Sequence, residues 1–387
     1  MTATAAPAGR RLGSPGGVVL HVAQPTEGGV ARYLADLAVD QLGAGWRVAV
    51  ACPPRGRLVD ELTGSGVRLL PWSADRLPGP AVSREVRRLA ELVAAADPAL
   101  VHLHSSKAGL AGRLAVRGGR VTVFQPHAWS VHAVPRMLRP AAVGWERRAA
   151  AWTDLLLCGA EEERRLGRAL GIPGRYAVVP NGVDVDRFGV ADADERARAR
   201  ARLGLGDGPL AVCVGRLCRQ KGQDLLLRAW RQVAAALPVA TLALVGGGSP
   251  PAGASARPGL VLAGSVVDPR DWYAAADVVV CPSRWEGMAL VPLEAMARGR
   301  SVVATDVGGT RQAAPPDAGA LVPPDDPHAL AAATLARLRD RATADVEGRR
   351  GRAHVTRHHS LSRTHAGVQR LYQELLAVHR SRSEVVV

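Results

Sequence analysis

Short β-branched runs alternate with Ala-, Leu- and Arg-rich stretches along almost the whole chain of 387 residues. This alternation is the strongest constraint on the fold, because it is the signature of parallel α/β sheets. Strand candidates fall at 18–23, 47–51, 67–70, 100–104, 121–125, 155–158 and 177–179 in the first half. In the second half they fall at 210–214, 240–245, 260–263, 278–281 and 301–304. Amphipathic stretches such as 30–42, 82–95 and 223–237 lie between them and read as helices. The length accommodates two domains of ordinary size.

The expected organisation is a flexible tail over 1–17, a Rossmann-like domain over 18–187, a second over 188–360, and a last helix from 361. That helix has room to pack back on the first domain. The boundary is placed at the turn-forming Pro180-Asn181-Gly182, and the Arg/Ala-rich 193–203 then opens the second domain. Two such sheets facing each other leave a cleft at the carboxyl ends of their strands, where ligands bind in open α/β folds. The tract 246–259 is low in complexity and reads as a surface loop.

Composition removes several function classes. No apolar run approaches the roughly 20 residues of a membrane span. Residues 1–17 have no apolar core of a signal peptide, so the protein is expected in the cytoplasm. The five cysteines show no metal-ligand spacing and are expected as free thiols. No metal site and no cofactor is expected. The net charge of +15 raises a polyanion-binding reading, but it divides as +8 over 1–187 and +7 over the remainder. Neither half is a basic module, no nucleic-acid motif accompanies the charge, and no nucleic-acid partner is expected.

The chemistry concentrates in a few loops that follow strands. Among 50 Lys+Arg, only Lys107 and Lys221 are lysines. A compact ammonium on a flexible stem is not replaced by a planar guanidinium at every site. Lys221 closes the run Gly215-Arg216-Leu217-Cys218-Arg219-Gln220-Lys221, between a strand and a helix. A diphosphate bound there gains guanidinium, ammonium and helix-dipole stabilisation together. Downstream, Glu286 lies in a loop and Glu294 eight residues later in a short helix ending at Gly299. A carboxylate accepts two hydroxyl hydrogen bonds at once, which suits the vicinal diol of a sugar or ribose. Cations at one helix entrance and carboxylates at its neighbour point to a nucleotide sugar.

Other positions admit two readings each. Gly28 and Gly29 open the first helix and fit either an anion contact or a tight strand–helix turn. His127 follows a strand and fits either a sugar contact or a ring packed under Trp129. In His104-Ser105-Ser106-Lys107-Ala108-Gly109 a serine caps the helix, and an anion at its start accounts for the lysine. Lys107 and Asn181 are the candidates on the acceptor side. The segment 128–148 carries Trp129, Met137, Trp145 and four arginines, and fits either an anionic membrane surface or a helix packed on its own sheet.

Together these motifs resemble glycosyltransferase family 4, across nearly the whole chain beyond the tail. The resemblance rests on Gly28-Gly29, His127, Pro180-Asn181-Gly182-Val183-Asp184 with Phe188, Gly215-Arg216-Leu217 with Lys221-Gly222, and Glu286 with Glu294. It implies the two-domain GT-B architecture and a retaining, metal-independent transfer from a nucleotide-diphosphate sugar of UDP or GDP type. It implies Arg216 and Lys221 on the diphosphate, Glu294 on the ribose, and Glu286 and His127 on the donor sugar. Gly28, Gly29, Gly215 and the backbone from Gly287 through Met288, Ala289 and Leu290 to Val291 complete the donor pocket. The His-Ser-Ser-Lys-Ala-Gly run is similar to members that build capsular or exopolysaccharide units on lipid carriers. A glycan or lipid-linked acceptor and a station at the inner membrane face follow from that likeness. A sugar-nucleotide epimerase of the same architecture is the alternative enzyme.

Overall fold

The strand candidates pair exclusively in parallel among the registers described, as the helices between them require. In the computed structural model the described residues are 17–385, without 77, 133, 252–253 and 255–258. Most of the expected tail over 1–17, and most of the centre of the 246–259 tract, therefore lie outside the described residues.

The first sheet comprises β1 (Val18–Ala23), β2 (Arg47–Cys52), β3 (Arg68–Pro71), β4 (Pro98–His104), β5 (Val121–Gln125), β6 (Leu155–Cys158) and β7 (Tyr176–Val178), in the order β3-β2-β1-β4-β5-β6-β7. The second comprises β8 (Leu210–Val214), β9 (Thr241–Val245), β10 (Leu260–Gly264), β11 (Val278–Cys281), β12 (Ser301–Thr305) and β13 (Gly319–Val322), in the order β10-β9-β8-β11-β12-β13. Each order reverses beside the first strand of its sheet, the Rossmann-like arrangement that creates a crevice at the carboxyl ends. The central strands β8, β11 and β12 are almost wholly buried, with Val212, Val279, Val280 and Val303 at or near zero exposure. Helices on both faces of the sheet account for that, and for strands that read as continuous apolar runs.

Strand β13 has no counterpart in the sequence reading. Its run Gly-Ala-Leu-Val is short and sits among prolines, so no β-branched pattern marks it. What admits it to the sheet is Gly319 at φ 155°, where a Cβ would lie 1.9 Å from the Val302 carbonyl oxygen.

The chain packs as two compact units. One takes the described residues up to Phe124, Trp152–Asp154 and the final helix from Gln369; the other takes Gln125–Ala151 and Leu155–Val368. The final helix, Leu361–Val385, thus ends in the first unit. There the Gln369 amide donates to Asp40 at 2.7 Å, and Tyr372 hydrogen-bonds the His102 ring. No described helix is long and apolar enough to cross a membrane.

His102 belongs to a fully buried group. His21 on β1 is in register with His102 on β4, and His104 lies two residues further along the same face. Nitrogens of the three rings lie within 4.8 Å of one another. His21 Nε2 donates to Gln41 Oε1 at 2.8 Å, which leaves Nδ1 to accept from His104 Nε2 at 3.0 Å. Burial pulls His21 down to about 4 despite the Gln41 hydrogen bond. The unfolded chain therefore binds a proton at higher pH than the folded one. Stability from this residue is complete above pH 6.5 and is lost as pH falls towards 4, a difference of about 3 kcal/mol. Wild-type protein should lose stability steeply between pH 6.5 and 4 in denaturant titrations, and His21→Gln should lose less; equal slopes would remove His21 from the acid response.

Candidate active site

The loops after β8 and β11 meet at the carboxyl edge of the second sheet, since parallel pairing brings the ends of neighbouring strands to the same side. After β8, Gly215 turns at φ 147° and the Lys221 stem lies over it, its carbons about 3.5 Å from where a Cβ would stand. Gln223, first residue of the helix Gln223–Ala236, ties this loop by donating to the Arg216 carbonyl at 3.0 Å. Gly222 joins the two at φ 69°, with a Cβ position 2.0 Å from the Pro282 carbonyl oxygen, so only glycine lets the loops come this close.

At the junction Lys221 Nζ donates to Glu286 Oε1 at 2.6 Å, both side chains being largely covered. Ser283 Oγ donates to the same oxygen at 2.7 Å, and Gln220 donates to the Trp285 carbonyl at 3.2 Å. Burial alone lowers an ammonium's proton affinity, but the Glu286 carboxylate more than offsets it and raises Lys221. The lysine is therefore charged throughout the neutral range. Half-buried Arg216 has no side-chain hydrogen-bond or ion-pair partner among the described residues, which leaves its guanidinium available to an anion. A small pocket of about 10 Å³ beside them is lined by Cys213, Val214, Lys221, Cys281, Pro282, Ser283, Ala289 and Val291.

Beyond Glu286 the chain passes through Gly287, Met288 and Ala289 into the helix Leu290–Ala297. Two glycines of the following loop clamp this segment. Gly308, at φ 51°, would place a Cβ 2.0 Å from the Glu286 carbonyl oxygen, and Gly309 donates its N–H to the Gly287 carbonyl at 2.7 Å. Glu294 lies on the helix, where the buried Tyr273 donates to its Oε2 at 2.6 Å. Burial, reinforced by that carboxylate, holds the Tyr273 hydroxyl protonated. Tyr273 anchors one oxygen of Glu294, and nothing in its context Asp271-Trp272-Tyr273 announced that role.

His127 reaches the same group of residues. Its backbone adopts φ 54° and that of Ala128 φ 128°, and both press on Gly287, whose Cβ would stand 2.9 Å from the His127 carbonyl carbon. Burial pulls the His127 imidazole down to about 3, so the ring is neutral and presents one donor and one acceptor. Asn181 is buried beneath the loop, with its side-chain amide donating to the Met288 carbonyl at 2.7 Å and its backbone carbonyl accepting from the His359 ring.

The remaining candidates lie in the first unit. Gly28 and Gly29 are exposed at the start of the helix Gly28–Gly43, beyond the end of β1, with Gly28 at φ 77°. Lys107 lies in the first turn of the helix Ser105–Val116 and is about 5 % exposed, paired with buried Glu85 at 2.6 Å. The structure thus brings together Arg216, Lys221, Gly215, Glu286, Gly287, Met288, Ala289, Leu290, Val291, Glu294 and His127 with Asn181 in the second unit. Gly28, Gly29 and Lys107 belong to the first.

Comparison with known proteins decides the family. Residues 27–187 match the description Glycosyltransferase Family 4, and residues 208–340 match Glycosyl transferases group 1. A GDP-mannose-dependent alpha-(1-6)-phosphatidylinositol monomannoside mannosyltransferase of Mycolicibacterium smegmatis is 33% identical over 309 residues, covering 74% of this chain and 78% of that protein. The chain belongs to glycosyltransferase family 4. This glycosyltransferase is also similar to the lipopolysaccharide core biosynthesis mannosyltransferase LpsB of Rhizobium meliloti, at 29% identity over 254 residues, 60% of this chain and 70% of LpsB. Its fold matches that of HepE from Anabaena, solved in complex with UDP-glucose, with a TM-score of 0.79 at 20% identity over 92% of this chain and 100% of the other. Two parallel-sheet Rossmann-like domains are thereby shown as the GT-B type.

The clamp at Gly308 is open to test. A Cβ there meets backbone rather than a yielding side chain, at a φ that L-residues disfavour. Gly308→Ala should lower stability by about 1–3 kcal/mol, a drop of several degrees in Tm by calorimetry. Gly206→Ala, at an exposed position with open space around it, should change Tm by less than a degree or so and serves as the control. Equal effects of the two would show that the close approach at Glu286 is dispensable.

Proposed function

We propose that this glycosyltransferase transfers a hexosyl group, with retention and without a metal, from a UDP- or GDP-type nucleotide sugar to a hydroxyl of a glycan or lipid-linked acceptor. The observation that carries the reading is the Lys221–Glu286 contact, flanked by the available guanidinium of Arg216 and by Glu294 under Tyr273. It supplies cations for a diphosphate and carboxylates for hydroxyls within two adjoining loops.

In the proposed reaction the bond between the anomeric carbon and the diphosphate oxygen breaks. A bond from that carbon to the acceptor oxygen forms on the same face. The acceptor proton passes to the departing phosphate oxygen. Negative charge grows on the leaving diphosphate, where Arg216 and Lys221 meet it, so the step calls on no metal. Glu294, oriented by Tyr273, accepts from the ribose hydroxyls. Glu286 and the neutral His127 hydrogen-bond the donor sugar, and the N–H groups at the start of the helix Leu290–Ala297 add to the anion's stabilisation. Several relatives are named for GDP-mannose or for lipopolysaccharide and phosphatidylinositol products, which favours a lipid-linked or glycan acceptor. A cytoplasmic station at the inner membrane face agrees with Met137 and Leu138, 84% and 52% exposed between Arg136 and Arg139, which suit an anionic bilayer surface.

Lys221→Ala is expected to reduce donor turnover by about 10²-fold or more, in line with the loss of one preorganised donor to a developing anion. Near-normal turnover would remove its assigned role. Glu294→Ala should weaken UDP or GDP binding by about tenfold in calorimetry, as expected for losing a charge-assisted hydrogen bond. Unchanged affinity would contradict the ribose contact. Thermal-shift measurements with UDP, GDP and ADP sugars identify the base, since a ligand bound by the folded state alone raises its stability; no shift with any of them would count against the whole reading.

A further inference from the structure

Arg284 stands in the loop after β11, two residues before Glu286, and its side chain is 15% exposed. Among the described residues its hydrogen bonds go to the chain on either side of Lys221. Nη1 and Nη2 donate to the two oxygens of Asp224, each at 2.7 Å, as a bidentate fork. Nη1 also donates to the Arg219 carbonyl at 2.9 Å, and the Arg284 backbone N–H donates to the Gln220 carbonyl at 2.8 Å. Nε donates to Asp325 Oδ1 at 3.0 Å, in the loop after β13. Arg219 and Gln220 immediately precede Lys221, and Asp224 follows it in the first turn of the helix Gln223–Ala236. One arginine therefore brackets the lysine.

The bracketed segment needs such support. Lys221 ends a 3-10 turn of three residues, Arg219–Lys221, and Gly222 follows at φ 69°. Hydrogen bonds within a 3-10 turn are poorly aligned, so a piece this short depends on outside partners to hold a side chain in place. Gln223 ties the start of the loop at the Arg216 carbonyl, and Arg284 ties its end. The ion pairs themselves add little to stability, because the Asp224 and Asp325 carboxylates are 47% and 64% exposed. What the guanidinium supplies is geometry. Its planar donors hold two carboxylates and a carbonyl at once, which a flexible ammonium does not. The hydrogen bond from Arg284 keeps the Asp224 carboxyl below its ordinary range, so the fork persists at neutral pH.

We propose that Arg284 is a positioning residue for the transfer: its side chain holds Arg219 before and Asp224 after Lys221, and so places the lysine ammonium where the diphosphate leaves. The inference rests on the reading of Lys221 as a cation for the diphosphate. Arg284 acts on no reacting atom itself, and its effect passes through Lys221.

The test is a double-variant cycle in steady-state kinetics, joined to hydrogen–deuterium exchange on the full chain. Arg284→Ala should lower kcat for the nucleotide sugar by about 10- to 100-fold with KM changed less than about threefold, since a displaced cation is missed most where charge grows on the leaving group. Added to Lys221→Ala, the same substitution should cost no more than about a further threefold, because the lysine through which Arg284 acts is already gone. A role confined to folding would lower both backgrounds by the same factor. Amide exchange over 219–226 should accelerate about tenfold, while exchange over 161–169 stays near wild type. Arg284→Lys keeps the charge without the fork and should behave as the alanine variant does; it carries the same measurements if the alanine variant does not fold. Unchanged kcat in Arg284→Ala would overturn the proposal. So would an equal loss in both backgrounds, or a lysine variant with wild-type kcat and exchange. Near-normal turnover by Lys221→Ala, or none by wild type, would sink the reading on which the inference rests; a large loss in Lys221→Ala beside wild-type kcat in Arg284→Ala would sink the positioning role alone.

Discussion

One ammonium–carboxylate contact closes the two loops that hold the candidate site. Lys221 and Glu286 come from turns after different strands, and their attraction across 2.6 Å acts in a partly dehydrated setting where it is stronger than in bulk water. The contact is possible only because the backbone permits the approach. Gly222 lets one loop touch the Pro282 carbonyl, and Gly308 lets another touch that of Glu286. Ser283, Gln220 and Gln223 then satisfy the polar groups left by the junction. A diphosphate bound here as proposed would meet a charge pair already organised, with little ordering left to do.

Much of this organisation is written in local sequence. The β-branched runs specify strands because a fully buried parallel sheet demands apolar residues on both faces, and the observed strands begin and end within a residue or two of the expected positions. Arg216, Lys221 and Glu286 stand out because each lies in a loop that directly follows a strand, and Glu294 because it sits on the helix that the second of these loops leads into; a parallel sheet gathers such positions at one edge. Strand β13 escapes notice because it depends on Gly319 rather than on side-chain pattern.

The residues that the sequence conceals are those defined by distant partners. Tyr273 matters because a helix places it under Glu294, 21 residues later. Asn181 supports Met288 across more than 100 residues. The histidine group joins His21 to residues 81 and 83 positions away, through strand register that no local pattern encodes. In each case a side chain of ordinary appearance acquires its role from long-range packing.

The scarcity of lysine has a practical corollary. Apart from the chain's first amine, this protein offers an acylating reagent only two ε-amines, Lys107 and Lys221, and each lies 2.6 Å from a glutamate oxygen. Neither is an ordinary surface nucleophile, because an ion-paired ammonium must first lose its proton and leave its carboxylate. Amine-directed labelling is thus confined to one position in each compact unit, making mass spectrometry of the acylated chain a two-channel probe of local opening.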